Sequence, residues 1–416
     1  MPVKPIHSSS RLVDVHYEIR GTLARRAREM EANGASIMHL NIGDTGRFGF
    51  RAPAHLVEAI QAHLGESDGY AREQGIREAL DAIVARQHAR GVCDVTPERT
   101  FIGNGVSELI DITLRALLDP GDEVLLPSPD YPLWSAATVL NGGRATYYQC
   151  TADNDHQPDL DELQSLIGPR TRAIVLVNPN NPTGAVYPRK VLEKIVAMAD
   201  HHGLMLLCDE IYDELVYDGT EFQPIAPLAG QVPCLTFSGL SKVHRACGFR
   251  IGWMTLSGST ARTAGLRDAL QLLAALRLCA NVPAQWAVRP ALEGPDTIGP
   301  LLAPGGRLHS ARQAALDGVA TSAHLEMVKP RGAMYAYPAV RADRIPEFDD
   351  NTFALRLLED ESVLLAPGSS FNVPQSRHLR LTLLPEPDQL REVFVRIERV
   401  LDRMTGETPG TLRASA

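Results

Sequence analysis

The sequence predicts an α/β protein, with a large domain on a mostly parallel sheet covered by helices and a smaller α+β domain beside it. Three observations point there. Short runs that are apolar throughout recur through the middle of the chain, and amphipathic segments of helical spacing separate them. The 416 residues also exceed the roughly 100–200 that one domain needs. In chain order, Thr100–Ile102 and Glu123–Leu126 read as strands, Tyr131–Leu140 as a helix, Ala145–Tyr148 as a strand and Leu160–Ile167 as a helix. Ala173–Val177 is apolar and β-branched, and Arg189–His201 carries helical spacing at Val191, Ile195 and Met198. Leu204–Cys208 and Cys234–Phe237 are further apolar runs. The breaker-rich segment 293–306 is the expected hinge. Beyond it, Leu308–Leu325 reads helical and Val328–Tyr337 strand-like, while helices over Asn351–Leu358 and Pro387–Leu401 flank a strand at Leu379–Leu384. The predicted division is an N-terminal arm with part of the small domain at 1–54, a large domain at 55–300 and a C-terminal small domain at 301–416.

Composition narrows the function. Lys and Arg number 41 against 50 Asp and Glu, a net charge of −9. A nucleic-acid or anionic-membrane binder needs a basic face, so neither partner is expected. Arg25-Arg26 sits in a mixed-charge stretch and reads as a solvated face. The longest apolar stretch, Leu270 to Ala280, is broken by Gln271 and Arg277, well short of the roughly 18 residues of a membrane span. The first dozen residues lack the apolar core of a signal peptide. The six cysteines are dispersed without a CxxC pair, as suits reduced thiols in the cytoplasm. The 13 histidines show no HExxH or HxH spacing, and no metal is expected.

In parallel sheets, ligands sit beyond the carboxyl ends of the strands, so the residues just after each run belong together. These are Gly103-Asn-Gly-Val-Ser-Glu108, Asn178-Pro-Asn-Asn-Pro-Thr-Gly184, Asp209-Glu-Ile-Tyr212 and Ser238-Gly-Leu-Ser-Lys242, the last followed by Gly248-Phe-Arg250-Ile-Gly-Trp253. Singly, each has a bland reading: a helix cap, a Pro-rich turn, a surface carboxylate, a solvated lysine. Together they fit pyridoxal 5′-phosphate, which needs an amine, an anion at its ring nitrogen, partners for its phenolic oxygen, a stacking ring and a phosphate cup. Lys242 supplies the amine and Asp209 the anion. Asn181 and Tyr212 serve the phenolic oxygen, and Tyr131 of Ser128-Pro-Asp-Tyr131 stacks on the ring. Ser107, Ser241 and Arg250 cup the phosphate, at a helix start that favours anions. Glu108, in the same turn, is counted with the cofactor-binding residues.

The chain resembles the fold-type I, class I/II pyridoxal-phosphate aminotransferases, and within them the bacterial glutamate–pyruvate (alanine) branch. The motifs run nearly end to end: Tyr17-Glu-Ile-Arg-Gly21, Asn41-Ile-Gly43, GNGVSELI at 103–110, PSPDYPLW at 127–134, NPNNPTGAVY at 178–187, DEIYDEL at 209–215, GLSK at 239–242, GFRIGW at 248–253, RLCANVPAQ at 277–285, KPRGAMY at 329–335 and Leu379-Arg-Leu-Thr-Leu383. The resemblance implies that Lys242 forms the imine with the cofactor, Asp209 pairs with the pyridinium nitrogen and Arg380 binds the substrate α-carboxylate. It also implies that Gly43 and Asn181 line the carboxylate pocket, and that Tyr70 reaches the phosphate of a neighbouring subunit in a homodimer with shared sites. The bland readings are a surface ion pair for Arg380 and a core position for Tyr70. Tyr17 and Arg20 are expected on a lid over the site, where they would meet the side chain of a dicarboxylic substrate.

The implied reaction is L-alanine + 2-oxoglutarate = pyruvate + L-glutamate. Rivals are another transaminase or a C–S lyase on the same fold, and a regulatory effector domain, which would need a basic DNA-binding module. The chain departs from its relatives at Asp44-Thr45, His244 and Trp286. Asp44 and Thr45 are expected near the carboxylate pocket.

Overall fold

Seven strands form the central sheet: β1 (Thr100–Gly103), β2 (Glu123–Ser128), β3 (Arg144–Gln149), β4 (Thr171–Val177), β5 (Met205–Asp209), β6 (Cys234–Gly239) and β7 (Gly252–Ser257). The structure is a computed structural model that describes residues 6–17 and 21–406. The strand order is β1-β7-β6-β5-β4-β2-β3. Only β7 runs antiparallel to its neighbours; all other pairs are parallel. That one reversal matters for the site. Gly252, the first residue of β7, pairs with Gly103 at the end of β1 and Gly239 at the end of β6. The residues leading into β7 therefore share an edge with those leaving the other strands.

The strands read apolar throughout because both faces are covered. In β4, Ile174 and Leu176 enter one core with Leu192, Ile195 and Ala199 of the helix Arg189–His202. Their neighbours Ala173, Val175 and Val177 enter the opposite core with Leu109 and Ile110 of the helix Val106–Leu117 and Leu270 of the helix Thr260–Leu276. Successive side chains in a strand point to opposite faces, so a strand covered on both sides cannot alternate with polar residues.

A separate apolar core joins Leu40 to residues between Ala311 and Leu401. The helices Arg307–Thr321, Asp350–Glu361 and Pro387–Thr405 pack around a short antiparallel sheet in which Leu379–Thr382 is the central strand. Leu379, Leu381 and Leu383 all enter this core. Period-two alternation therefore turns Arg380 to the other face.

Three sequence expectations need correction. The helix expected to run to Leu325 stops at Thr321, where the Ser322 hydroxyl accepts the backbone N–H groups of His324 and Leu325. Only Tyr335–Ala336 of the stretch Val328–Tyr337 joins a sheet. Pro330 has no N–H to donate, and Arg331 and Gly332 both donate to the Gly184 carbonyl at 2.9 Å. The helix expected from Tyr131 begins at Leu133, with Pro132 as its cap. No helix among the described residues is long and apolar enough to cross a membrane.

Candidate active site

A cavity of about 540 Å³ opens at the sheet edge where β1, β4, β5 and β6 end and β7 begins. The strand ends and the segments beside them deliver its polar groups. β5 ends on Asp209, β6 runs on into Ser241 and Lys242, Arg250 precedes β7, and Ser107 lies in the first turn of the helix after β1. Arg250 reaches this edge only because β7 runs backwards.

Asp209 is buried, and its Oδ1 accepts the Ile211 N–H at 3.2 Å. Burial pushes its carboxyl up to about 6, against the pull of that N–H and the Lys242 charge. A carboxyl held this way is short of positive charge and suits a cationic N–H on a bound ring. The Lys242 amine donates to the Gly43 carbonyl at 2.9 Å. The hydroxyls of Tyr212 and Tyr335 lie 3.0 Å apart, and burial holds the Tyr212 phenol well above its ordinary range, keeping it a proton donor.

The other end of the cavity is built for an anion. The helix Val106–Leu117 starts there with no side-chain cap, which leaves its N-terminal dipole to a ligand. Its cap is Gly105 at φ +87°, and a Cβ there would lie 2.1 Å from Arg250 Nη2. Glycine is what lets the guanidinium lie against this turn. Arg250 donates to the carbonyls of Cys247 (3.0 Å) and Asn104 (3.2 Å).

Arg380 forms the facing wall. It is 2% exposed, donates through Nη1 to Asn181 Oδ1 at 3.0 Å and through Nη2 to the Asn41 carbonyl, and lies between the rings of Tyr335 (4.5 Å) and Phe371 (4.7 Å). No carboxylate of the described residues pairs with it, and its buried Nε has no hydrogen-bond partner. A buried guanidinium without an anion can take up a carboxylate. The cavity thus brings together an uncapped helix start with an arginine beside it, a primary amine, a buried carboxyl and a second, buried arginine.

Residues 35–397 match the family Aminotransferase class I and II. The chain belongs to the class I and II aminotransferases. Over 399 residues it is 44% identical to glutamate-pyruvate aminotransferase AlaA of Escherichia coli strain K12, covering 96% of this chain and 98% of that one. It is 44% identical over 393 residues to the alanine aminotransferase of Mycobacterium bovis, covering 94% and 91%. The crystal structure of an aminotransferase from Escherichia coli superposes with a TM-score of 0.94 at 44% identity, over 96% of this chain and 99% of that one. Such enzymes act on amino acids and 2-oxo acids.

In this aminotransferase the cavity gathers eleven of the residues singled out from sequence. Lys242, Asp209, Tyr212, Ser107, Ser241 and Arg250 line it from the sheet side, and Tyr131, Asn181, Gly43, Arg380 and Tyr17 complete it. Two stand elsewhere. Glu108 does not line the cavity; its carboxylate accepts the Asn104 N–H at 2.7 Å and the Asn104 side-chain amide at 3.1 Å, and pairs with Arg277 at 3.3 Å. It braces the turn instead of facing the anion cup. Tyr70 is 82% exposed and outside the cavity of its own chain. Arg20 lies outside the described residues. Of the departures, Asp44 lines the cavity, while Thr45 is buried beside it with its hydroxyl donating to the Arg245 carbonyl at 3.3 Å. Trp286 is away from the site, stacked on His63 at 4.1 Å, and His244 does not line the cavity. Sequence reasoning missed Tyr335 and Phe371, the two rings that hold Arg380. Tyr335 closes the KPRGAMY motif and was available as a signal; Phe371, in a short helical turn, offered none.

Proposed function

We propose that this aminotransferase transfers the amino group of L-alanine to 2-oxoglutarate, giving pyruvate and L-glutamate, with pyridoxal 5′-phosphate as cofactor. The observation that carries the reading is the pairing of two separate anion sites, one at Arg250 and one at Arg380, with the Lys242 amine in the same cavity. The names of the two relatives at 44% identity support the choice of alanine and glutamate.

The residues fit the cofactor. Arg250, Ser107, Ser241 and the helix start would hold its phosphate, in the cradle that a Cβ at Gly105 would fill. Asp209 would hold a proton at the ring nitrogen, Tyr212 and Asn181 would serve the phenolic oxygen, and Tyr131 would stack on the ring. Bound pyridoxal phosphate supplies an electron sink that acidifies the Cα–H bond of an amino acid joined to it. Arg380 orients that amino acid by its α-carboxylate, with Asn181 and Gly43 beside it. Lys242 Nζ would take the Cα proton as general base and, as general acid, would deliver it at C4′ of the cofactor. Tyr17, which lines the cavity from the N-terminal segment, would meet the substrate there.

The same reading takes the chain as a cytoplasmic homodimer. The six cysteines are all free, as suits a reducing compartment. The segment carrying Tyr70 is tied to the end of the helix Thr260–Leu276, where Gln271 donates to the Glu73 carboxylate at 2.9 Å. Leu272, Leu276 and Leu278 stand exposed along that end. Exposed apolar side chains grouped this way support a surface that another chain covers, and Tyr70 of each chain would then serve the partner's phosphate end. The division at 1–54, 55–300 and 301–416 belongs to this proposal, supported by Leu40 sharing a core with residues after 310.

The test is direct. L-Alanine added to cofactor-loaded enzyme should shift the cofactor's absorption band and release pyruvate, and 2-oxoglutarate should restore the band and release glutamate. A band that alanine leaves unmoved, or release of a thiol from a cysteine conjugate in its place, overturns the reading.

A further inference from the structure

The charges lining the cavity are unevenly explained. Among the described residues they are the cations Lys242, Arg250 and Arg380 and the anions Asp209 and Asp44. The proposed function uses four of these five. Asp44 is left over.

Its position is well defined. Asp44 follows Gly43, whose carbonyl accepts from the Lys242 amine at 2.9 Å, so its backbone adjoins the group that meets the substrate Cα. Unlike Asp209, it is exposed, which puts it at the mouth of the cavity. Its Oδ1 accepts the Gly46 N–H at 3.2 Å, which fixes the side chain across a tight turn. No ion pair among the described residues neutralises it. A substrate whose α-carboxylate rests on Arg380 and whose nitrogen is at Lys242 has two of its Cα substituents fixed. The third, its side chain, would then lie toward the part of the lining that holds Asp44. Alanine places a methyl group there. Glutamate and 2-oxoglutarate place a second carboxylate there.

We propose that Asp44 is a specificity-determining residue that disfavours substrates bearing a second carboxylate and leaves small uncharged side chains unopposed. The inference rests on the alanine–glutamate reading and adds a direction to it: the neutral partner is favoured over the dicarboxylic one. Like charges at a site mouth act on partner choice more than on overall affinity. Their repulsion is screened by salt, with a Debye length of about 10 Å at 0.1 M.

The experiment compares glutarate with butyrate, which differ by one carboxylate, as non-reacting ligands of the cofactor-loaded enzyme in calorimetric titrations. The variant Asp44→Asn retains an oxygen to accept the Gly46 N–H. It should tighten glutarate relative to butyrate by roughly three- to ten-fold at low salt, with the gain shrinking as salt is added. The KM ratio of 2-oxoglutarate to pyruvate should fall in parallel. Asp44→Ser, which also offers an oxygen, repeats the measurement should the amide disturb folding. Equal shifts for both ligands, or weaker glutarate binding in the variant, overturn the proposal. A wild-type enzyme that gives no pyruvate from alanine defeats the alanine–glutamate reading, while the glutarate-to-butyrate ratio still decides Asp44.

Discussion

The two walls of the cavity are made differently. The sheet-side wall takes Asp209, Ser241, Lys242, Arg250 and Ser107 from the ends of neighbouring strands, so the sheet alone brings them together. The Arg380 wall comes from a separate core, and its contacts span the chain: Arg380 reaches Asn181 and Asn41, 199 and 339 residues away. The sheet-side wall carries the groups assigned to chemistry, and the Arg380 wall carries the group assigned to recognition. A parallel sheet gives rigid placement of reactive groups, whereas recognition here depends on two cores meeting.

The sharpest way to break this comparison is to remove the reactive group. Lys242→Ala should lower kcat by about 10⁴-fold or more, because tether and general base are lost together. Pre-steady-state measurement of Cα deprotonation checks it, and near-normal turnover would move the reaction to another base. Arg380→Ala attacks the other wall. Loss of two charge-assisted hydrogen bonds, each worth roughly 1.5–3 kcal/mol, should lower kcat/KM by about 10²–10⁴-fold, equally for alanine and glutamate. An unequal loss would mean that Arg380 reads the side chain. Asp209→Asn keeps the shape of the sheet-side wall but removes its charge. Half-reaction rates should fall by roughly ten- to a thousand-fold, the range that one to three pKa units represent.

A smaller effect belongs to the joint between the walls. Asp130, next to Tyr131, donates its N–H to the Phe371 carbonyl at 3.1 Å, and its Oδ1 accepts from the Asn372 side chain at 3.0 Å. Burial pushes its carboxyl up to about 7, and its Oδ2 has no partner. A raised carboxyl holds its proton in the folded chain after the unfolded chain has lost it. Its contribution therefore favours folding below the unfolded value of about 4 and is lost as pH climbs through about 7. Asp130→Asn keeps an oxygen for Asn372 and does not titrate. Its melting temperature relative to wild type, measured on cofactor-free protein, should rise between about pH 5.5 and pH 8. A constant difference would show that Asp130 ionises below that window. Glu108→Gln should leave the affinity for the cofactor within about two-fold while lowering stability by about 1 kcal/mol, since the side chain braces a turn and touches no ligand. A large loss of cofactor affinity would return Glu108 to the anion cup.

The sheet-side wall was legible because its logic is local. An apolar run followed by a polar group marks a strand end, and strand ends in a parallel sheet converge. Arg380 was legible only through the motif Leu379-Arg-Leu-Thr-Leu383 and the resemblance it carries; the structure adds the reason it faces the cavity, since Leu379, Leu381 and Leu383 alternate around it and enter the apolar core. The failures follow from the same physics. Glu108 and Ser107 are adjacent on a helix, about 100° apart around its axis, and sequence alone does not say which faces the ligand. Tyr335 lay in a stretch read as one long strand, where Pro330 and the contacts to Gly184 decide the path of the backbone. Phe371 reaches Arg380 only through tertiary packing.

The alternation around Arg380 also makes folding a form of proofreading. A slip of one residue in the strand Leu379–Thr382 would drive the guanidinium into the apolar core and expose three leucines. Both changes are costly, so the misaligned chain is one that does not persist. A deletion in the loop that feeds this strand would be felt as instability before it was felt as altered recognition. Any molecule stable enough to accumulate therefore carries Arg380 on the cavity side.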